Sequence, residues 1–144
     1  MNDVAELYCR NLCKKYDDKL VVNDVSINLQ ARKVIGLLGP NGAGKTTTFY
    51  MLVGLIKCNS GNILINNEEI TDLPMHIRSD LGISYLPQEA SIFRNLSVRD
   101  NIMSILETRI NLSEAERKDK LDSLVNVLQI ENILSNRGAS LSGG

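Results

Sequence analysis

One stretch constrains the fold of this chain more than any other, Gly39-Pro40-Asn41-Gly42-Ala43-Gly44-Lys45-Thr46-Thr47. Its spacing is G-x-x-x-x-G-K-T, in which the glycines allow backbone N–H groups to surround a phosphate. The apolar run 34–38 before it is typical of a buried parallel strand. Apolar residues at helical spacing after it predict a helix over 46–56. Strand, glycine-rich loop and helix together predict a phosphate-binding loop in an α/β fold.

Each residue type in this loop has a predicted task. Lys45 would reach the β- and γ-phosphates of a nucleotide, and the backbone N–H groups at the start of the helix would add partial positive charge. The Thr46 hydroxyl would ligate Mg²⁺, and Thr47 would support the α-phosphate. The alternative is a glycine-rich turn that matches by chance, which the flanking strand and helix disfavour. The apolar face of the predicted helix consists of Phe49, Leu52, Val53 and Ile56.

Composition limits the classes of protein to consider. A chain of 144 residues, 43% hydrophobic, can bury a core of its own. Its 16 basic and 17 acidic side chains argue against nucleic-acid binding through a basic face. No apolar run reaches about 18 residues, so no membrane-spanning helix is predicted. Three cysteines without zinc spacing predict ordinary thiols in a cytosolic protein.

The residues before the loop predict an antiparallel piece. The run 7–12 reads as a strand, and alternation at Val25, Ile27 and Leu29 predicts a second, half-buried one. The polar residues 14–19 between them predict a turn, with Tyr16 on it. Local sequence favours an ordinary surface role for Tyr16, and the alternative is a platform on which a base stacks.

Beyond the loop, the pattern predicts a strand over 61–66, a short helix over 74–80 and a buried strand over 82–86 that Pro87 ends. Gln88 follows the last strand. Ligands of open α/β sheets bind at the carboxyl ends of strands, so Gln88 is a candidate contact for Mg²⁺ or a water. His76, the only histidine, has no ligand or nucleophile near it in sequence and is predicted to have no catalytic role.

A loop and two helices complete the chain. Ile92, Phe93 and Leu96 would form a surface for a partner if exposed, or core if they fold inward. Ser97 predicts a helix cap and Ser113 a capping box. The predicted apolar faces are Val98, Ile102, Ile105 and Leu106 on the first helix, and Leu121, Leu124, Val125 and Leu128 on the second.

Three motifs in order resemble those of ATP-binding-cassette ATPases: the phosphate loop, Gln88 at the position of the Q-loop glutamine, and Leu141-Ser142-Gly143-Gly144 as the signature. The resemblance covers essentially the whole chain. It implies a P-loop NTPase core with an N-terminal antiparallel β subdomain over 1–87, the Q-loop over 88–96, and the start of a helical subdomain over 97–144. The C-terminal part of the core sheet would be missing.

The resemblance also implies site residues and ligands. It favours the stacking role for Tyr16, as the aromatic that contacts adenine. ATP and Mg²⁺ are the implied ligands, with Gln88 contacting Mg²⁺ or the attacking water. Two copies would bind head to tail, so that Ser142, Gly143 and Gly144 of one copy face the γ-phosphate held by Lys45 of the other.

Within the family, the stretches 46–51, 73–76 and 85–94 resemble the ATPase subunits of lipopolysaccharide exporters. This implies a place on the cytoplasmic face of the bacterial inner membrane. Two transmembrane permease subunits would dock near Ile92, Phe93, Arg94 and Leu96. The alternatives are an ATPase subunit of another transporter, such as the branched-chain amino-acid type, a nucleotide-binding module without turnover, and a small-molecule kinase, which the motif order disfavours.

The sequence departs from the family pattern at two places, and each departure leads to a prediction. Arg32-Lys33 stands where the family usually has Gly-Glu, so a positive φ there would strain Arg32. No strand-like run ending in Asp-Glu follows Lys45, and residues 127–131 continue a helix instead. Without that acidic pair, one Mg²⁺ support and the water-activating base are missing, so the 144-residue chain alone is expected to bind nucleotide weakly and to hydrolyse it only at background rate.

Overall fold

A computed structural model describes residues 6–89 and 91–141 of the chain. The chain divides into two compact units, the first ending at Tyr85 and the second beginning at Leu86. In the ranges that the structure describes, no helix has both the length and the apolar character needed to cross a bilayer.

The first unit contains a four-stranded sheet in the order β2-β1-β3-β4, in which every neighbouring pair is antiparallel. Its strands are β1 (Glu6–Tyr16), β2 (Lys19–Gln30), β3 (Ser60–Ile65) and β4 (Glu68–Glu69). The predicted antiparallel piece is therefore confirmed. The predicted turn over 14–19 is shorter than expected, because β1 continues to Tyr16 and pairs it with Lys19.

Two helices belong to this unit, α1 (Lys45–Val53) and α2 (Met75–Asp80). Helix α1 ends earlier than predicted, at Gly54, whose φ of 85° lets its N–H return to the last turn. The predicted apolar face is wrong in part, since Phe49 is 44% exposed while Thr48 and Met51 are buried. The core between helix and sheet consists of Cys9, Leu12, Val22, Met51, Ile63 and Ile70.

Neither the predicted parallel strand over 34–38 nor the predicted buried strand over 82–86 is formed. Both segments are irregular or turn, and Val34, Leu38 and Leu86 are 98%, 93% and 91% exposed. A parallel strand exists only beside a partner that takes its backbone hydrogen bonds. Among the described residues, no strand pairs with either segment. The apolar composition of these segments indicates that they tend to be buried, but a strand also needs a neighbouring strand to pair with.

The second unit contains α3 (Val98–Glu107) and α4 (Glu114–Leu128), followed by 3₁₀ turns over Glu131–Ile133 and Gly138–Ser140. Both predicted caps are confirmed: the Ser97 side chain accepts from Asp100 N–H, and Ser113 makes the full capping box with Glu116. Leu106, Leu121 and Val125 form the core of this unit. The predicted apolar faces are wrong at three positions, since Ile105, Leu124 and Leu128 are 61%, 41% and 58% exposed.

Candidate functional site

Gly44 determines the shape of the phosphate loop. It is buried, with φ of 80°, and it immediately precedes α1. A Cβ at this position would lie 2.3 Å from the carbonyl oxygen of Val21 and 3.1 Å from a methyl group of Val22. Only glycine therefore fits, both for backbone conformation and for space. This close approach places the loop against the start of β2.

Lys45 closes the loop on itself. Its Nζ donates to the carbonyl oxygens of Gly39 at 2.8 Å and Pro40 at 2.7 Å. Within the loop, Ala43 N–H donates to Pro40 O at 3.2 Å. The ammonium group thus spans the concave side of the loop, where a phosphate would replace the two carbonyl oxygens as its partner.

The N-terminus of α1 offers backbone donors. The first-turn N–H groups of any α-helix have no intrahelical acceptor, and in the described part of the chain no side chain caps those of α1. A Cβ on Gly42 would meet no atom within 4 Å, which shows open space beside the loop. Thr46 is exposed, and Thr47 is half-buried. Donors, a cation and open space together fit an anionic phosphate chain, and the exposed Thr46 hydroxyl is a hard oxygen that suits Mg²⁺.

Thr48, in the first turn of α1, is a residue to which the sequence assigned no role. It is buried, its hydroxyl donates to Gly44 O at 3.0 Å, and its N–H donates to the same oxygen at 2.8 Å. The last residue of the loop is thereby tied to the first turn of α1. A buried Thr in a helix next to a glycine loop is the signal that would have pointed to it.

Tyr16 lies at the end of β1 rather than on the turn. Its side chain is 45% exposed, and Lys14 Nζ lies 5.3 Å from the ring centroid. Since Tyr16 pairs with Lys19, and Val21 contacts the loop at Gly44, one hairpin carries both the ring and the wall of the loop. The structure therefore brings Tyr16 and the phosphate loop into the same unit, with an exposed ring available for stacking.

Arg78 anchors the other end of α1, and nothing in the sequence singled it out. Its side chain is only 2% exposed. The guanidinium donates to four carbonyl oxygens, those of Met51, Leu52, Thr71 and Leu73, at 2.7–2.8 Å.

Two of these carbonyl oxygens, on Met51 and Leu52, belong to the last turn of α1, where a cation also complements the helix dipole. Burial lowers the pKa of the Arg78 guanidinium, which still stays protonated at neutral pH. A Cβ on Gly54 would lie 2.9 Å from Arg78 Nε, so Gly54 leaves the space that the guanidinium occupies. Helix α1 is thus held by the loop at one end and by Arg78 at the other.

The remaining predicted site residues lie in the second unit. Gln88 is exposed, as expected for a loop residue. Residues 92–97 are here called the docking loop, for the role proposed for them below. Residues 92–96 are exposed, with Ile92, Phe93 and Leu96 42%, 60% and 38% exposed. The outward alternative is therefore the correct one for these three. The predicted signature residues Ser142, Gly143 and Gly144 lie outside the described residues.

Comparison with known proteins adds a family to this geometry. Residues 22–144 match the family described as ABC transporter. The chain is 50% identical over 141 residues to the lipopolysaccharide export system ATP-binding protein LptB of Escherichia coli K12, covering 98% of this chain and 58% of that protein. It is 51% identical over 138 residues to LptB of Haemophilus influenzae, covering 96% and 57%. The chain thus spans less than two thirds of the length of these relatives.

Solved structures agree on the fold. An ATP-binding cassette of an ABC transporter in its ADP conformation superposes with a TM-score of 0.81 at 21% identity, over 96% of this chain and 59% of the other. An ATP-binding subunit of an ABC transporter superposes with a TM-score of 0.77 at 29% identity, over 94% and 55%. The described fold is therefore part of such a cassette, as the motifs predicted.

Proposed function

The chain belongs to the ABC transporter family, and on that premise we propose that it is the ATP-binding subunit of a lipopolysaccharide exporter. The proposal that the chain binds ATP rests on one observation, the geometry of the phosphate loop. Gly44 shapes this loop and leaves no room for a Cβ, and Lys45 and the uncapped first-turn amides of α1 lie on its open side. The substrate half rests on the 50% identity to a protein named for lipopolysaccharide export.

The loop residues would bind and orient ATP. The first-turn amides of α1 would hold the phosphate oxygens, and Lys45 would exchange two backbone carbonyls for the β- and γ-phosphates. Thr46 and Gln88 would hold Mg²⁺, which when bound neutralises charge that develops on the phosphates. Tyr16 would stack on adenine and so fix the nucleotide at its far end.

A second copy of the chain is the proposed partner for turnover. In a head-to-tail pair, Ser142, Gly143 and Gly144 of one copy would face the nucleotide held by Lys45 of the other. Hydrogen-bond donors from both copies would then surround the γ-phosphate, so that closure of the pair and hydrolysis depend on each other.

The docking loop is the proposed contact with the two membrane subunits. Three apolar side chains within five residues are exposed here, and a cluster of exposed apolar side chains is typical of a contact surface. The occupant we propose is an apolar segment at the cytoplasmic end of each membrane subunit, with Phe93 as the anchor and Arg94 on the polar rim. These contacts would place the chain on the cytoplasmic face of the inner membrane.

The test is assembly with the membrane subunits of a lipopolysaccharide exporter. Phe93→Ala should reduce co-purification of those subunits and leave ATP affinity unchanged. Phe49→Ala is the matched control, because it removes the chain's other phenyl ring, which is also exposed, from α1. Equal recovery of the membrane subunits with parent and Phe93→Ala would contradict the docking assignment.

The same preparations separate the competing functions. ATP turnover in the assembled complex, with export of lipopolysaccharide, supports the proposal. Turnover that requires a small-molecule phosphate acceptor would indicate a kinase, and binding without turnover would indicate a nucleotide-binding module. Turnover with membrane subunits of a branched-chain amino-acid transporter, but not with those of a lipopolysaccharide exporter, would change the substrate and keep the family.

A further inference from the structure

Asn101, in the first turn of α3, contacts the backbone of the docking loop at three residues. Its Oδ1 accepts from Phe93 N–H at 2.8 Å. Its Nδ2 donates to Phe93 O at 3.0 Å and Ser97 O at 2.9 Å, with a longer contact to Leu96 O at 3.4 Å. One side-chain amide thereby joins the two ends of the docking loop, at Phe93 and Ser97.

The docking loop is bonded in turn to the segment 134–141, which leads into the signature. Gly138 N–H donates to Leu96 O at 2.9 Å, and Ala139 N–H donates to Arg94 O at 2.8 Å. Val98 N–H donates to Asn136 O at 2.9 Å, so the connection continues into α3. Every one of these bonds joins backbone groups, so it is independent of side-chain identity.

Gly138 makes this contact a close one. It is buried, and a Cβ there would lie 3.1 Å from both the Ile92 Cδ1 atom and the Phe93 carbonyl oxygen. The segment before the signature therefore lies directly against the two residues at the centre of the docking surface. A methyl group added at Gly138 would therefore force its neighbours in the docking loop to shift, because packed contacts tolerate little extra volume.

We propose that Asn101 is a positioning residue that couples the docking loop to the segment before the signature. A membrane subunit that engages Phe93 would press on a loop whose shape Asn101 maintains, and the backbone bonds of Gly138 and Ala139 would carry that displacement to Leu141. The functional meaning of this coupling rests on the proposed function. The hydrogen bonds that join the two segments lie within this chain and do not depend on it.

The role requires one acceptor and two donors on a short side chain, and Asn101 provides them. Asn101→Asp keeps the shape and the acceptor for Phe93 N–H. It replaces the donor by an oxygen that faces carbonyl oxygens of Phe93 and Ser97, so the contacts become repulsive. Asn126→Asp is the matched control, because it makes the same chemical change at an exposed position of α4.

Amide hydrogen exchange on the intact protein tests the link. Asn101→Asp should speed exchange roughly tenfold at Leu96, Gly138 and Ala139, because these amides donate to carbonyl oxygens of the docking loop, whose shape the substitution disturbs. Exchange in the middle of α4 should stay as in the parent and in Asn126→Asp. Unchanged exchange at Gly138 and Ala139, or an equal rise across α3 and α4, would overturn the proposal.

Gly138→Ala tests the link from the opposite side and does not require Asn101→Asp to fold. The added methyl group should speed exchange at Phe93, on the far side of the contact. If the amides of the docking loop exchange as in the parent, the two segments are not coupled.

The functional consequence is measured in a complex with the membrane subunits that turns over ATP. Asn101→Asp should lower kcat for ATP several-fold and leave KM for ATP unchanged, because the loop that binds ATP lies in the other unit. An equal effect on KM, or none on kcat, would overturn the coupling. Failure of Phe93→Ala to affect assembly would remove the docking assignment instead, while the exchange result would stand.

Discussion

Each unit of this protein uses one side chain to bind backbone carbonyl oxygens where a helix meets a neighbouring segment, yet the two side chains differ in charge and burial. Arg78 is a cation, 2% exposed, that donates to four carbonyls. Asn101 is neutral and half-buried, and it both donates and accepts. Arg78 joins α1 to the segment 71–73, and Asn101 joins α3 to the docking loop.

The difference shows what each unit requires of its anchor. Burying a cation costs a large desolvation free energy, which only a complete set of hydrogen bonds offsets. Arg78 therefore contributes to stability only while the first unit is folded and all of its acceptors are in place. A half-buried amide can exchange its partners for water at a much smaller cost. Asn101 is therefore suited to maintain a shape that a partner can shift. Four predictions test or sharpen this contrast.

The largest effect is expected for Arg78→Met. Four buried or partly buried carbonyl oxygens would lose the guanidinium as a donor, so the free energy of unfolding should fall by about 3 kcal/mol or more. Denaturant titration measures this loss, and Arg99→Met, at an exposed position of α3, is the control. Asn101→Ala should cost about 1 kcal/mol on the same scale. Equal costs for Arg78→Met and Asn101→Ala would break the comparison.

Lys45→Ala should come next, and its effect should appear in binding. The variant removes a side-chain cation from the open side of the loop, so ATP affinity should fall by roughly 10- to 100-fold. Calorimetry measures the affinity, with Lys33→Ala, which removes an exposed lysine of the same unit, as the control. If Lys45→Ala binds ATP as tightly as the parent, the loop is not the nucleotide site.

Tyr16 should contribute through its ring. Tyr16→Ala should weaken ATP and ADP alike by about 1–3 kcal/mol, because both nucleotides carry the base that would stack. Tyr16→Phe keeps the ring and should bind within about twofold of the parent. A Phe variant as weak as the Ala variant would assign the effect to the hydroxyl and remove the stacking role.

The smallest effect is expected at the capping box of α4. Hydrogen bonds from the Ser113 N–H and hydroxyl lower the pKa of the Glu116 carboxyl in the folded chain. The stabilisation is therefore present above the carboxyl's unfolded pKa and is lost as pH falls through the lower folded value. Circular dichroism between pH 7 and pH 3 should show acid loss of α4 helicity in the parent, and less change in Ser113→Ala, which has weakened the box at every pH. Identical acid profiles would refute this.

Several features could be predicted from the sequence because their causes lie within a few residues. Three such causes act locally: the glycine spacing of the loop, the capping residues Ser97 and Ser113, and the alternation at Val25, Ile27 and Leu29. The structure has positive φ angles at Gly42 and Gly44, both caps, and a strand over the alternating residues. Arg32, expected to be strained if its turn needed a positive φ, has φ of 61°. The identity of the family also followed from short motifs in order.

The tertiary structure decided what depends on a distant partner. The runs 34–38 and 82–86 have the composition of buried strands, but backbone groups pair only with a neighbour, and no described strand takes that place. Phe49 and Ile105 lie on predicted apolar faces and are exposed, because which side of a helix is covered depends on what packs against it. The roles of Arg78 and Asn101 likewise come from carbonyl oxygens that only the folded chain brings within reach of their side chains.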